Sequence, residues 1–120
     1  MSSFSDALKK VASRVPETQM LIVMAVDGIP IEKLIVRPDP DLEAIAAEYT
    51  TLLRASSNTA SDTGLGALRE LSVVTEKMVA VIVAITSEYF LFASLAPGAL
   101  MGRARFALRM AGIALEKEFE

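Results

Sequence analysis

The order of apolar and polar positions along the chain predicts helices and strands in alternating groups. An apolar face at the three-and-four spacing of a helix predicts a short amphipathic helix that ends before Pro16. That face consists of Phe4, Leu8, Val11 and Val15. Two apolar runs follow, MLIVMAV at 20–26 and IEKLIVR at 31–37, and their β-branched residues favour strands.

The two runs are separated by Asp27-Gly28-Ile29-Pro30. Asp-Gly is common in tight hairpins, because glycine accepts a positive φ and aspartate bonds the backbone nearby. Pro30 removes one ladder donor near the corner. A carboxylate without a His, Lys or metal partner in sequence reach is more typical of a turn than of catalysis, so Asp27 is predicted to be a turn residue.

A long helix is predicted after residue 38. The stretch PDPD at 38–41 is typical of a helix start, with Asp39 capping free amides and Pro40 at the first helical position. The core-facing stripe of this helix is predicted to contain Leu42, Ile45, Ala46, Tyr49, Leu52 and Leu53.

The opposite face of this helix carries small or uncharged residues: Ala44, Ala47, Thr51, Ala55 and Asn58. A solvated helix face usually carries more charge, and small side chains let a second backbone approach closely, so a partner chain is one explanation. The alternative is that alanine simply favours helices, and the pattern alone does not decide between the two. Glu43, Glu48 and Arg54 flank this face as polar contacts or as solvated residues.

The second half of the chain predicts a three-stranded meander and a last helix. Gly64 and Gly66 end the long helix, and their spacing lacks the context of a dinucleotide-binding loop. Three apolar runs, at 67–75, 78–85 and 89–95, are separated by breaks so short that neighbouring strands must be antiparallel. The middle run is apolar on both faces and needs cover on both sides.

The last helix is predicted to follow Pro97-Gly98, with two apolar faces that require two neighbours, the sheet and the first helix. The main face comprises Leu100, Ala104, Ala107, Leu108, Ala111 and Leu115, and the second comprises Phe106, Met110 and Ile113. Arg103, Arg105 and Arg109 occupy the rest of the helix surface, where a solvated face is favoured over a binding patch.

These elements predict an α+β fold, a three-layer α-β-α domain spanning residues 1–120. The order is helix, two strands, helix, three strands, helix, with a five-stranded antiparallel sheet between one helix and two. The strand at 31–37 carries Glu32, Lys33 and Arg37 and suits a protected edge. If the strand at 67–75 is the other edge, only Arg69 and Glu70 defend it, which predicts a homodimer.

Composition narrows the range of functions. The 12 Lys and Arg against 15 Asp and Glu give a net charge of -3, which provides no electrostatic reason to bind nucleic acid. The chain contains no His and no Cys, which excludes disulfides, thiolate nucleophiles and His-based acid, base or zinc chemistry. We therefore predict no catalytic residue, no cofactor, no metal and no small-molecule substrate. An enzyme that uses carboxylates such as Asp27 or Asp62 is the least favoured hypothesis.

Targeting signals are absent from the sequence pattern. The apolar runs at 20–26 and 78–85 are far shorter than the roughly 18 to 20 residues that a membrane span needs. The start, MSSFSDALKK, lacks the pattern of a signal peptide. The expected location is the cytoplasm.

The order of several motifs resembles the Roadblock/dynein light chain family. These motifs are VDGIPI, the helix after it, the connector GLGALRE, the strand end VVTE, the apolar MVAVIVAI and the helix after LAPGALMGRARFAL. Together they cover about residues 5–117. The resemblance implies a non-catalytic protein, and the length of the chain is most similar to bacterial regulators of a small Ras-like GTPase.

The resemblance also implies a homodimer or heterodimer, built from side-by-side middle helices and paired third strands in one ten-stranded sheet. In this chain the implied interface comprises Ala44, Ala47, Thr51, Ala55 and Asn58 of the helix and Leu68, Glu70 and Ser72 of the strand. Glu43, Glu48 and Arg54 are the implied contacts to the GTPase, whose hydrolysis such a regulator can stimulate by repositioning the GTPase's own residues. The alternative is an adaptor, similar to a dynein light chain, without effect on nucleotide turnover.

Overall fold

A computed structural model describes residues 3–39 and 41–120. The elements are α1 (Ser3–Arg14), β1 (Thr18–Ala25), β2 (Pro30–Ile35), α2 (Leu42–Asp62), β3 (Glu70–Val74), β4 (Val79–Ala84), β5 (Tyr89–Leu95) and α3 (Met101–Glu116). Their order is the predicted one, except that a 3₁₀ turn, Lys117–Phe119, follows α3 and was not expected.

The five strands form one antiparallel sheet in the order β2-β1-β5-β4-β3, which confirms the predicted α+β class. The meander β3-β4-β5 is confirmed as well, and β1 joins it by pairing with β5. This order leaves β2 and β3 at the two edges. The edge predicted from the charges of the strand at 31–37 is confirmed, and β3, which was assumed to be the other edge, is one as well.

Helices cover both faces of the sheet, and each face has its own core. One core joins α1 and α3 to alternate sheet residues such as Leu21, Val81 and Leu91. The other joins α2 to the intervening residues, among them Ile22 and Phe92. Since β4 is buried on both faces, its continuous apolar sequence is explained by this double cover.

The hairpin between β1 and β2 has the expected corner. Gly28 adopts a positive φ of 95°, and an oxygen of the Asp27 carboxylate accepts a hydrogen bond from the Ile29 amide at 3.2 Å. The register shifts between Val23 and Met24, opposite Pro30, where a proline cannot donate to the ladder. Asp27 is thus a turn residue in the structure.

Two details of α2 differ from the prediction. Leu52 is 40% exposed and lies outside the core stripe of α2, whose buried members are Leu42, Ala46, Thr50 and Leu53. The helix begins at Leu42, and the Asp39 carboxylate accepts a hydrogen bond from the Asp41 amide at 2.9 Å before the helix starts. The predicted role of Pro40 lies outside the described residues.

The predicted second apolar face of α3 has no neighbour among the described residues. Phe106, Met110 and Ile113 are exposed, and so is Leu100, which precedes the helix. The physical reason is that α3 lies in an outer layer, where the sheet and α1 both meet the same side of the helix. The prediction of two covered faces was therefore wrong.

Candidate functional site

The small-residue face of α2 points away from the sheet. Its five members, Ala44, Ala47, Thr51, Ala55 and Asn58, are all exposed. Positions 46, 50 and 53, on the other side of the helix, are buried against the sheet. A stretch of this exposed face therefore presents short side chains to solvent, a surface on which another backbone can pack closely.

The free edge of β3 is the second part of the candidate site. At the two ends of the β3–β4 pair, the main chain bonds from Ala84 N to Arg69 O at 2.9 Å and from Thr75 N to Met78 O at 3.0 Å. In the antiparallel register of this pair, the odd-numbered residues of β3 therefore bond to β4. The amides and carbonyls of Glu70, Ser72 and Val74 consequently face the open edge.

Side chains on the α3 side of β3 are uncovered except at Glu70. Ser72 is exposed, and Val74 is 69% exposed. The Glu70 carboxylate instead forms ion pairs with two residues of α3, at 2.5 Å to Arg105 Nε and 3.5 Å to an Arg109 terminal nitrogen. This carboxylate is only 18% exposed, so the two arginines hold it against the helix and away from the edge.

Arg105 and Arg109 are therefore neither simply solvated nor free for a ligand. Sequence reasoning missed this cluster, because Glu70 and the two arginines lie 35 and 39 positions apart. A charge that interrupts an apolar strand was the available signal. It indicates that a counter-charge is needed nearby but does not say where it is.

Leu68 differs from the other predicted strand positions. Strand β3 begins at Glu70 and not at residue 67, so Leu68 belongs to the connector after α2. Its side chain is half-buried and packs against the core on the α2 side of the sheet. Leu68 is thus part of the packing of one protomer, whereas Glu70 and Ser72 lie on the edge strand itself.

Two of the three polar residues beside the α2 face contact the β1–β2 hairpin. Glu43 forms an ion pair with Lys33 of β2 at 2.5 Å between carboxylate oxygen and ammonium nitrogen. Arg54 donates from a terminal nitrogen to the Val26 carbonyl at 2.7 Å. Both side chains therefore already have internal roles, and Glu48 is exposed.

A cavity of about 900 Å³ lies between the C-terminal half of α2, the start of β3 and the end of α3. Its lining includes Arg54, Asn58, Glu70 and Arg109, so it brings residues of α2 and β3 to one place. Asp62, the last residue of α2, is exposed and does not line it. Residues 3–39 and 41–120 contain no cluster of three or more acidic, His or Cys side chains that could hold a metal ion.

No helix within the described residues is both long enough and apolar enough to cross a lipid bilayer.

A five-stranded antiparallel sheet with helices on both faces defines a small α+β domain, and comparison with known proteins identifies its family. The model of the Roadblock/LC7 domain matches residues 6–95. The chain belongs to the Roadblock/LC7 domain family. A comparison with curated protein sequences found no match.

Solved structures of the same family share the fold. MglC from Myxococcus xanthus is 28% identical with a TM-score of 0.71, and the match covers 98% of this chain and 99% of that one. The gliding protein MglB from Thermus thermophilus has a TM-score of 0.84 at 15% identity, covering 96% of this chain and 87% of the other. A Roadblock/LC7 domain from Streptomyces avermitilis has a TM-score of 0.81 at 18% identity, covering 92% of each chain.

Proposed function

We propose that this protein is a homodimeric regulator or scaffold that binds a small Ras-like GTPase and has no catalytic residues of its own. Membership of the Roadblock/LC7 domain family and the likeness to MglC and MglB support a regulatory role. The observation that carries the proposal is the open β3 edge, whose outward amides and carbonyls have no strand to bond within the described residues.

In the proposed dimer, β3 of one protomer pairs with β3 of its partner, and the exposed small-residue faces of the two α2 helices pack together. Main-chain hydrogen bonds then satisfy the outward groups of Glu70, Ser72 and Val74. The other edge is less suited to pairing. There, Lys33 of β2 is held by Glu43 of α2, and a charged side chain on an edge strand discourages pairing with another chain.

Ser72→Pro tests the proposed edge pairing. The Ser72 amide faces the open edge and is not needed for the ladder to β4, and an edge strand tolerates proline at such a position. We expect the variant to fold normally but to lose dimerisation, with the dissociation constant raised by at least about tenfold per lost pair of bonds. Mass from light scattering across a concentration series measures this change.

Ser72→Ala is the matched control, because it shortens the side chain but retains the outward amide. Circular dichroism checks that both variants are folded. A wild-type chain that remains monomeric at tens of micromolar, or a proline variant that dimerises as well as the alanine variant, contradicts the proposed interface.

The proposed regulatory activity is tested separately with a small Ras-like GTPase encoded in the same genome. GTP hydrolysis is measured with and without this protein, and complex formation is followed by size-exclusion chromatography. A complex with a faster rate supports a GTPase-activating role, and a complex with an unchanged rate supports the adaptor alternative. If no complex forms, the GTPase is not the partner.

Glu43, Glu48 and Arg54 are proposed to contact the partner beside the paired α2 helices. Glu48 is the cleanest of the three to test, since it forms no ion pair within the described part of the chain. A Glu48→Lys variant is expected to weaken the complex without changing the dimer. Equal binding by this variant and wild type removes Glu48 from the contact surface.

A further inference from the structure

We propose that the outer side of α3 is a docking surface for an acidic amphipathic helix of a partner protein; this surface lies on the side of the sheet away from α2, and only Ile113 of it borders the cavity described above. Three exposed side chains define this α3 ridge: Phe106 at 62%, Met110 at 44% and Ile113 at 53%. Their spacing of four and three makes them neighbours on the helix. The ridge spans about 10 Å along the axis, since each residue rises about 1.5 Å.

The α3 ridge is unusual because the opposite side of the same helix is also apolar. Ala104, Leu108 and Leu115 are fully buried against the sheet and α1. A helix with one buried face normally carries charged or polar residues on the other. Exposed apolar side chains that lie singly are ordinary, but a contiguous set of large ones is typical of an interaction site.

The charged residues beside the ridge indicate the sign of the charge that a partner should carry. Arg14, at the end of α1, and Arg103 line a shallow depression together with Phe106 and Ala107. Neither arginine forms an ion pair within residues 3–39 and 41–120. On the other flank, Arg105 and Arg109 are already engaged by Glu70. The cations available to a ligand are therefore concentrated at the Phe106 end.

An acidic amphipathic helix fits this arrangement. Its apolar stripe, with residues at spacings of three, four and seven, would cover the α3 ridge, and its carboxylates would meet Arg14 and Arg103. The arginines at the Phe106 end and the glutamates after the Ile113 end also define the orientation of the partner helix. Glu116 and Glu118 follow the far end of the ridge and would repel carboxylates there. The acidic residues of the partner should thus lie towards the Phe106 end.

Two other occupants are tested against this proposal, and the membrane fits less well than a helix. An anionic membrane surface favours a cationic protein face throughout, but this chain has a net charge of -3, and Glu116, Glu118 and Glu120 follow the ridge in the sequence. A second copy would need an exposed helix with large apolar side chains and flanking carboxylates. The exposed face of α2 carries mainly small side chains, whereas α3 of a second copy carries the same ridge with Glu116 after it, so contact between copies is the rival that a measurement of mass in solution decides.

The test uses the isotope-labelled full chain and two synthetic helical peptides of about 18 residues, long enough to hold helical structure. Both have Leu at the stripe positions, and one has Glu on the flanks where the other has Lys. We expect the acidic peptide to shift the amide resonances of residues 103–113 and of Arg14 and the basic peptide to leave them unchanged. No shift with the acidic peptide up to about 1 mM, where even weak binding is visible, overturns the proposal.

Paired variants locate the contact. Phe106→Ala combined with Ile113→Ala should weaken binding of the acidic peptide at least about tenfold, as truncation of central anchors does. Leu65→Ala, at an exposed apolar position in the connector after α2, should leave it unchanged. Arg103→Glu should also weaken binding of the acidic peptide, whereas Arg37→Glu, at an exposed position after β2, should not.

The remaining outcomes identify a different occupant. Flotation with phosphatidylserine vesicles that depends on Phe106 and Ile113 indicates a membrane surface and overturns the proposal. A mass in solution above that of the dimer, which falls in the Phe106→Ala and Ile113→Ala double variant, indicates contact between copies through the ridge. That result also overturns the proposal. Since none of these measurements depends on Ser72, failure here is distinguishable from failure of the proposed dimer.

Discussion

At the scale of single residues, one glycine fixes how closely α3 approaches the sheet. Gly112 is buried, and a Cβ at this position would lie 3.2 Å from Val83 Cγ1 and 3.6 Å from the Ala84 carbonyl oxygen. Gly102, near the start of the same helix, has open space around it. The two glycines thus have different roles, which helix propensity alone does not distinguish.

Gly112→Leu is expected to lower the free energy of unfolding by about 1 to 3 kcal/mol, because the added side chain overpacks the contact between α3 and β4. Gly102→Ala is expected to raise it by about 0.4 to 1 kcal/mol, since alanine suits a helix where nothing is displaced. Urea unfolding measures the free energy of unfolding of both variants and of wild type. Equal effects of the two substitutions would show that Gly112 is not a contact point.

The sequence predicted most buried residues correctly, because the apolar stripes of α1 and α2 have a clear helical period. Leu52 and the second face of α3 were wrong for one physical reason. Periodicity shows which sides of a helix are apolar, but it does not show whether the chain has an element left to cover them. In α3, the side without cover among the described residues is the α3 ridge.

At the scale of elements, α2 is anchored to the β1–β2 hairpin at two points. Glu43 pairs with Lys33 near the start of the helix, and Arg54 bonds the Val26 carbonyl farther along it. The helix is thereby held over the sheet by polar contacts as well as by its apolar stripe. A partner that engages Arg54 would compete with this internal hydrogen bond.

Arg54→Ala should lower the free energy of unfolding by about 1 kcal/mol, because the Val26 carbonyl loses its side-chain donor. Arg54→Lys should lower the free energy of unfolding by less, since an ammonium group can also donate a hydrogen bond. Arg37→Ala, at an exposed arginine after β2, is the control and should have little effect. Chemical denaturation measures the three variants. An Arg54→Ala variant as stable as the control would show that the hydrogen bond from Arg54 to Val26 contributes nothing to stability.

Element types and order were predictable, whereas contacts between distant elements were not. The meander followed from turns too short for a crossover, and the charges on the strand at 31–37 indicated one edge of the sheet, whereas β3 was taken as the other edge only as a condition. The predicted start of β3, residue 67, was three residues too early, because the strand begins at Glu70. The apolar connector at 65–68 has no local signal that separates it from a strand. The Glu70 cluster joins β3 to α3 across the chain, so no local pattern predicts it.

At the scale of the whole molecule, the proposed interaction surfaces lie mainly on different parts of the fold. The open edge of β3 and the small-residue face of α2 serve the proposed dimer. The α3 ridge lies in the layer on the other side of the sheet from α2. One dimer could therefore hold two kinds of partner at once, which is what a scaffold requires.

A dimeric native state predicts a melting temperature that rises with protein concentration. Each tenfold increase should stabilise the dimer by up to about 1.4 kcal/mol relative to unfolded chains. For a protein of this size that corresponds to roughly 2 to 5 °C. Scanning calorimetry at several concentrations measures how the melting temperature depends on concentration, and the Ser72→Pro variant should show a smaller dependence than wild type in the same range. A flat wild-type series would contradict a dimer that assembles in this concentration range.

The orientation of the main chain in β3 restricts how two copies could meet. Only the even-numbered residues of β3 direct their amides and carbonyls to the open edge. If two β3 strands pair antiparallel about a two-fold axis, even-numbered residues of one copy must therefore lie opposite even-numbered residues of the other. Alignments of the two strands can consequently differ only in steps of two residues. When Ser72 lies on the axis, Glu70 lies opposite the partner's Val74, and each copy then keeps its own carboxylate bound to its own arginines. Recognition between copies would thus be determined by backbone geometry and not by charge.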